Sequence, residues 1–197
     1  MTRRLPAAER RSQLIGAAIS VFAEQGYGAT TMEAIADHAG VTKPVLYQHF
    51  DSKHDLFLTL MTDICGRITE HVVADVVAAT SPYERVQFGV RSIFSYMLER
   101  TDEFHLVFNA SSRSDPEFIA VIERFELLMA QAIADLTDIP RLSPADRLLM
   151  ARGIVAMVEA IARFWLADPG ESKVDTVTDY TTDLIWLGLR GRPPART

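Results

Sequence analysis

The chain has 197 residues, of which 48% are hydrophobic and 23% charged, with a net charge of -6 and a pI near 5.4. This is the make-up of an ordinary soluble chain, sized for a small head plus a larger body. One cysteine excludes an internal disulfide and fits a reducing cytoplasm, and neither a signal peptide nor an uninterrupted apolar run of membrane length is present, so a cytoplasmic protein with no membrane partner is expected.

In chain order, a first helix is expected over roughly Ala7 to Gln25, with Arg3, Arg4, Arg10 and Arg11 at its start. Those arginines fit either an arm reaching phosphates or the minor groove, or a solvated disordered arm. Thr30, with Glu33 three residues on, reads as a capping pair that begins a helix near Thr31. Its inward positions are Met32, Ile35, Ala36 and Ala39, and Gly40 can take the left-handed conformation that ends it. Thr42 then caps a short helix over Lys43 to Phe50, and Pro44 suits its first turn, where the missing N–H is not needed. Val45, Leu46 and Phe50 look inward, which leaves Thr42, Lys43, Pro44, Tyr47, Gln48 and His49 as an outward surface. Ser52, with Asp55 three on, starts a third helix.

Helix, glycine corner and short helix form the helix-turn-helix layout. A hydroxyl, a phenol, an amide and a cation can reach phosphates, and Gln48 or Lys43 can read base edges in the major groove. His49 and Lys53 stand at helix ends, where phosphates pass. The same spacing also suits a three-helix core with an ordinary solvated face. Through Lys53 the six cations outnumber the five acids by one, leaving -7 on the remainder of the chain. An acidic body on a neutral-to-basic head binds nonspecific DNA weakly, which suits a site-specific protein.

Beyond Lys53 everything reads as helix. Pro82, Pro116 and Pro144 each follow a capping residue (Ser81, Asp115, Ser143), so helices start near residues 53, 82, 116 and 144. A short one is expected from Asp102 to Asn109, and the last from around Ser172, after the Asp168-Pro169-Gly170 break. The fold class is all-α with about nine helices: a head over 1–52, a body over 53–190 and a disordered Pro/Arg tail over 191–197. Apolar stripes run through Tyr83, Val90, Phe94 and Met97 and through Phe118, Ile122, Phe125 and Met129, with Cys65, His71, Tyr96, His105 and Asn109 as polar groups near or between them. The last two helices are apolar around more than half their circumference and must bury both sides, in the subunit core or against a partner.

Leu14 to Leu56 closely resembles the N-terminal domain of the TetR family of bacterial transcriptional regulators. The resemblance rests on Phe22, Gly26, Tyr27, Thr31, Ile35, Ala36, Ala39, Gly40, Val41, Thr42, Leu46, Tyr47, His49, Phe50, Ser52, Lys53 and Leu56, with no departure at a pattern position. It implies that Thr31, Thr42, Tyr47, His49 and Lys53 touch the sugar-phosphate backbone and that Lys43, Pro44 and Gln48 read bases. It also implies an effector cavity enclosed by the fourth to seventh helices, for which Cys65, His71, Tyr96, Met97, His105, Asn109, Phe125, Met129 and Trp165 are the candidate lining. A dimer seam is implied in the last two helices, through Ile154, Met157, Ile161, Trp165, Tyr180, Leu184 and Leu187.

The function expected is a homodimeric one-component regulator, a repressor released from a palindromic operator by a small, largely apolar effector. Its partners are duplex DNA, the effector and a second copy of itself, and no cofactor or metal is expected. The helix from Lys53 past His71 links head to body, and Gly66 along it permits either a bend or close packing. An enzyme finds little support: the chain lacks a Gly-rich phosphate loop, a Gly-x-Ser-x-Gly elbow and metal-ligand spacing. A helical adaptor that binds protein through its head is the alternative.

Overall fold

The structure, a computed structural model, describes residues 6–108, 115–136, 142–168 and 170–190. Among the described residues there are nine α-helices and no strand: α1 (Ala7–Ala29), α2 (Met32–His38), α3 (Lys43–Tyr47), α4 (Lys53–Val77), α5 (Pro82–Glu99), α6 (Thr101–Phe108), α7 (Pro116–Leu136), α8 (Pro144–Ala167) and α9 (Val174–Arg190). This is the all-α fold expected. Among the described residues no helix is long and apolar enough to cross a membrane.

Side chains that satisfy the orphan backbone donors of the first turn set the helix starts. The Asp55 N–H donates to Ser52 Oγ at 3.0 Å while the Asp55 carboxylate accepts from the Asp51 N–H at 3.0 Å. At α5 the Glu84 N–H donates to Ser81 Oγ at 3.2 Å, and the Glu84 carboxylate reaches back to the N–H groups of Thr80 and Ser81. Asp115 accepts from the N–H groups of Glu117 and Phe118, and Ser143 Oγ from the N–H of Asp146. The start of α2 differs from the sequence expectation by one residue. Thr31, not Thr30, is the cap and accepts from the Ala34 N–H at 3.1 Å. Thr30 is buried and donates its hydroxyl to the carbonyl of Gly26 at 2.8 Å, at the residue where α1 breaks (φ 74, ψ 160). Adjacent threonines offer the same cap chemistry, and burial decides between them.

The described chain packs as two compact units. The first takes in α1, α2, α3, the first half of α4 to Gly66, α6 and the start of α7 to Ile122. The second holds the rest of α4 from Arg67, α5, the rest of α7 from Glu123, α8 and α9. The division expected after residue 52 falls at the start of α4, whereas packing divides both α4 and α7 along their length. The head is larger than its sequence pattern because α6 and the first turns of α7 share its core.

In the first unit the core is Leu14, Ala18, Val21 and Phe22 of α1, Ile35 and Ala36 of α2, Leu46 of α3, and Leu56, Phe57, Leu60 and Met61 of α4, all 0–2% exposed. In the second, α5 and α9 run side by side: Tyr83 donates to Asp183 at 3.3 Å and meets Trp186 edge-on, while Arg91 lies 3.6 Å from Asp175. Ala130, Ala134 and Ala151 form a close α7–α8 contact flanked by Ile133, Leu148 and Val155.

Candidate DNA-binding site

The corner between α2 and α3 requires a residue with positive φ, and Gly40 supplies it at φ 66. The Gly40 N–H bonds the Asp37 carbonyl and the Val41 N–H the Ala36 carbonyl, each at 3.0 Å, which closes the end of α2 in the 6→1, 5→2 pattern. Thr42 then caps α3 through its backbone: its carbonyl accepts from Val45 and Leu46, and its hydroxyl makes no cap bond. That leaves the hydroxyl for an outside acceptor. Pro44 stands in the first turn.

Burial sorts α3 into two faces. Leu46 and Phe50 are buried, and Thr42, Lys43, Pro44, Tyr47 and Gln48 are exposed, with His49 half-buried beside Phe50. Thr31 is exposed, and because its oxygen accepts the cap bond its hydroxyl proton is free to donate outward. Lys43 makes no ion pair among the described residues. The result is one compact surface of hydroxyls, a phenol, an amide, an imidazole and an ammonium.

Three side chains brace this surface, and their roles were not read from the sequence. Gln13 of α1 donates to the Ala39 carbonyl at 2.9 Å and holds the end of α2. Arg11 sits over the Phe50 ring, 5.2 Å to its centroid, and lies 3.7 Å from the Asp63 carboxylate. Lys53 departs most from expectation. Its ammonium donates to the carbonyls of Tyr27 (2.8 Å), Gly28 (3.3 Å) and Thr30 (2.8 Å), and it lies over the Tyr27 ring. All three of its donors are used, so in this structure Lys53 caps the end of α1 where a phosphate contact was expected. Arg10 hydrogen-bonds Gln13 at 2.9 Å; Arg3 and Arg4 lie outside the described residues. Distant surface pairings of this kind leave no periodic signal in a sequence.

Of the candidate effector residues, Cys65 and His105 belong to the first unit, and His71, Tyr96, Met97, Phe125, Met129 and Trp165 to the second. Cys65, Tyr96, Met97 and Phe125 are buried, Met129 is half-buried, and Asn109 lies outside the described residues. His105 is exposed, so it is a surface histidine of α6 and no part of an enclosed lining in its unit. His71 Nε2 lies 3.4 Å from Ser95 Oγ, with its ring edge-on to Tyr96. Trp165 contacts Phe94 edge-on and donates its indole N–H to the Ser172 carbonyl at 3.0 Å. Among the described residues no cluster of His, Cys, Asp or Glu is arranged to hold a metal ion.

Of the candidate seam, Tyr180, Leu184 and Leu187 of α9 are exposed, whereas Ile154, Met157, Ile161 and Trp165 of α8 are half-buried. The exposed face of α8 is Leu149, Gly153, Ala156, Ala160 and Phe164, one turn apart, small in the middle and bulky at both ends.

Residues 14–60 match the family model for bacterial regulatory proteins of the tetR family. The chain is 33% identical over 195 residues to the HTH-type transcriptional activator FasR of Mycolicibacterium smegmatis, covering 98% of this chain and 89% of FasR. It resembles the crystal structure of a TetR-like transcriptional regulator from Rhodococcus sp. RHA1 with a TM-score of 0.78 and 27% identity, across 96% of this chain and 100% of that one. At 20% identity and a TM-score of 0.72, covering 89% of this chain and 97% of the other, it shares its fold with AibR, solved in complex with isovaleryl coenzyme A and operator DNA. The chain belongs to the tetR family of bacterial regulatory proteins and is a DNA-binding transcriptional regulator, not an enzyme.

Proposed function

We propose that the protein works as a homodimer that sets α3 of each subunit into successive major grooves of a palindromic operator, and that a small, largely apolar effector changes its operator affinity. The observation that carries the DNA half is the exposed set Thr42, Lys43, Pro44, Tyr47 and Gln48 on and beside a helix whose opposite side buries Leu46 and Phe50. In this reading Thr31, Thr42, Tyr47 and His49 bond phosphates, and Lys43, Pro44 and Gln48 meet base edges. Lys53 and Arg11 act one step back, by holding α1 and Phe50 in place.

The exposed faces of α8 and α9 support the homodimer. Phe164 and Tyr180 are 79% and 72% exposed in the single chain, and Leu149, Leu184 and Leu187 more than half. Several bulky apolar side chains exposed on neighbouring helices are the kind of surface that marks a protein contact. Laid antiparallel on its own copy about Ala156, α8 brings Phe164 of each chain over Leu149 of the other, with Gly153 opposite Ala160. Such a self-complementary face closes a two-fold dimer.

The effector half is supported by AibR, which has the same fold and was solved in complex with isovaleryl coenzyme A and operator DNA, and by His71, Tyr96, Met97 and Phe125, which would supply the apolar and few polar groups such a site needs. The repressor sign expected from the sequence stands beside FasR, which is an activator; the same head serves either, according to where the operator lies relative to the promoter.

The test is selection of duplexes from a random library by the purified protein at two salt concentrations, followed by sequencing. A palindrome with half-sites about one helical turn apart, about 34–36 Å, is the expected result. Unselective retention, or none, would move the weight to a protein-binding adaptor. A panel of apolar acids and coenzyme A thioesters, scored by release of the selected duplex, then tests the effector.

A further inference from the structure

At the start of α4 the structure brings together groups that the helix-turn-helix does not use. His54 Nε2 lies 3.4 Å from the carboxylate of Asp115, the cap of α7. The imidazole is stacked on Phe118 of α7, centroids 4.8 Å apart and 21° between planes. Phe118 is fully buried and touches Phe57 of α4 at 4.8 Å and, edge-on, Tyr27 at 5.2 Å. All these residues belong to the first unit. Tyr27 in turn carries the Lys53 ammonium over its ring at 4.6 Å and lends Lys53 its carbonyl. The turn that separates α1 from the DNA-facing α2 is thus held by α4 and α7 together.

We infer that the His54–Asp115 pair is a proton-controlled latch, which fastens the start of α7 to the start of α4 and thereby sets the conformation in which the head meets operator DNA. This goes beyond the operator reading and rests on it. Phe118 supplies a pH-independent contact. The ion pair adds a second that is complete only while His54 carries a proton and Asp115 does not.

Burial pushes the Asp115 carboxyl up, but the Glu117 N–H, the His54 ring and the Phe118 N–H together hold it below its ordinary value. A lowered carboxyl contributes above its unfolded pKa and fails only as pH falls through the lowered value, so Asp115 stays ionised near neutrality. The Tyr27 phenol, pushed up by burial and by the Asp115 charge, stays protonated there. Both members of the pair are about one-third exposed, so protons reach them freely, and histidine is the side-chain type whose ordinary charge change falls between about pH 5 and 8. The latch is therefore closed on the acid side and opens as pH rises.

The experiment measures binding of the selected palindromic duplex from about pH 6 to about pH 8 for the wild type, His54→Gln and His54→Arg. Arginine keeps a permanent planar cation that can stack on Phe118 and pair with Asp115, and glutamine keeps the volume without the charge. His49 is present in all three and contributes equally. The expected result is that the two variants differ from each other by about two- to five-fold in Kd at every pH, the size of a half-exposed ion pair. The wild type should cross from the arginine line at the acid end to the glutamine line at the alkaline end. Exchange protection of the Glu117 and Phe118 amides, read on the same proteins without DNA, should follow the same crossing. Three parallel binding profiles with unchanged exchange would overturn the latch. A wild type that selects no duplex at any pH would instead overturn the operator reading, and the exchange measurement would still decide the latch.

Discussion

Lys53 shows why a motif position and its physical role need separate arguments. A lysine at the start of the helix after the recognition helix reads from sequence as a phosphate contact, yet its three N–H donors end on three carbonyls around the end of α1. The two roles give different measurements. Replacing Lys53 with methionine keeps much of the stem but leaves those carbonyls without their cation, which costs about 1–3 kcal/mol as a lost charge-assisted set. Thermal melting should register that loss without DNA, and the dependence of operator affinity on salt should keep its slope. A phosphate contact behaves the other way, with little change in melting and a salt slope shallower by about one. Thr30 and Thr31 carry a similar lesson. The pattern placed a cap within one residue, but which hydroxyl turned inward, to the Gly26 carbonyl four residues before Thr30, depended on core packing that no local signal records.

At the scale of elements the sequence was most legible where backbone chemistry is local. Ser81, Asp115 and Ser143 each cap the helix whose next residue is proline, at the positions expected. The inward positions Met32, Ile35, Ala36, Ala39, Leu46 and Phe50 are likewise buried, with Val45 half-buried, because a helix exposed on one side has only one face to offer the core. What could not be read is how helices share cores: α4 and α7 each run through two units, and amphipathic spacing does not say which helix meets which. Gly66 closes the first unit within α4, and a Cβ built there meets nothing within 4 Å. The close-packing explanation for this glycine therefore falls away, and ease of bending remains. Gly66→Ala should stabilise α4 by about 0.5–1 kcal/mol. It should also change the effector concentration needed for half-release more than it changes operator affinity, and equal fold changes in titrations of both would sink the idea.

The face of α8 belongs to the same scale but looks outward. The seam that the resemblance implies takes Ile154, Met157, Ile161 and Trp165 from α8, which are half-buried in the single chain, and the exposed stripe beside them runs through Gly153, Ala156 and Ala160. Large apolar residues draw attention in a sequence, yet at a close helix contact the small ones set the line of approach. Ala156→Arg places a long charged side chain at the middle of that stripe, where the single chain leaves it in solvent. Sedimentation should then find monomer in place of dimer. Operator affinity should fall by at least about 10²-fold, because two tethered heads become two independent ones.

For the molecule as a whole, charge is separated along the chain, with +1 through Lys53 and -7 beyond it. The structure narrows the positive side further, because Arg11 faces Asp63 and Phe50 while Lys53 is spent on carbonyls. Among the described residues through Lys53 that leaves Lys43, and Arg10 beside Gln13, as cations able to reach phosphates; the remaining phosphate donors are hydroxyls, a phenol and an imidazole. Neutral donors position a duplex without displacing counterions. Each cation that neutralises a phosphate contributes about -0.9 to the slope of log K against log salt, so a dimer using Lys43 and Arg10 from each chain should show a slope between about -2 and -4. Such a shallow slope would keep affinity for random DNA low and let Lys43 and Gln48 dominate the choice of site. Titrating the selected duplex and a scrambled one over a range of salt at fixed pH checks both halves of the argument. A slope steeper than about -6 would need further cations, and Arg3 and Arg4 would be the ones to replace next.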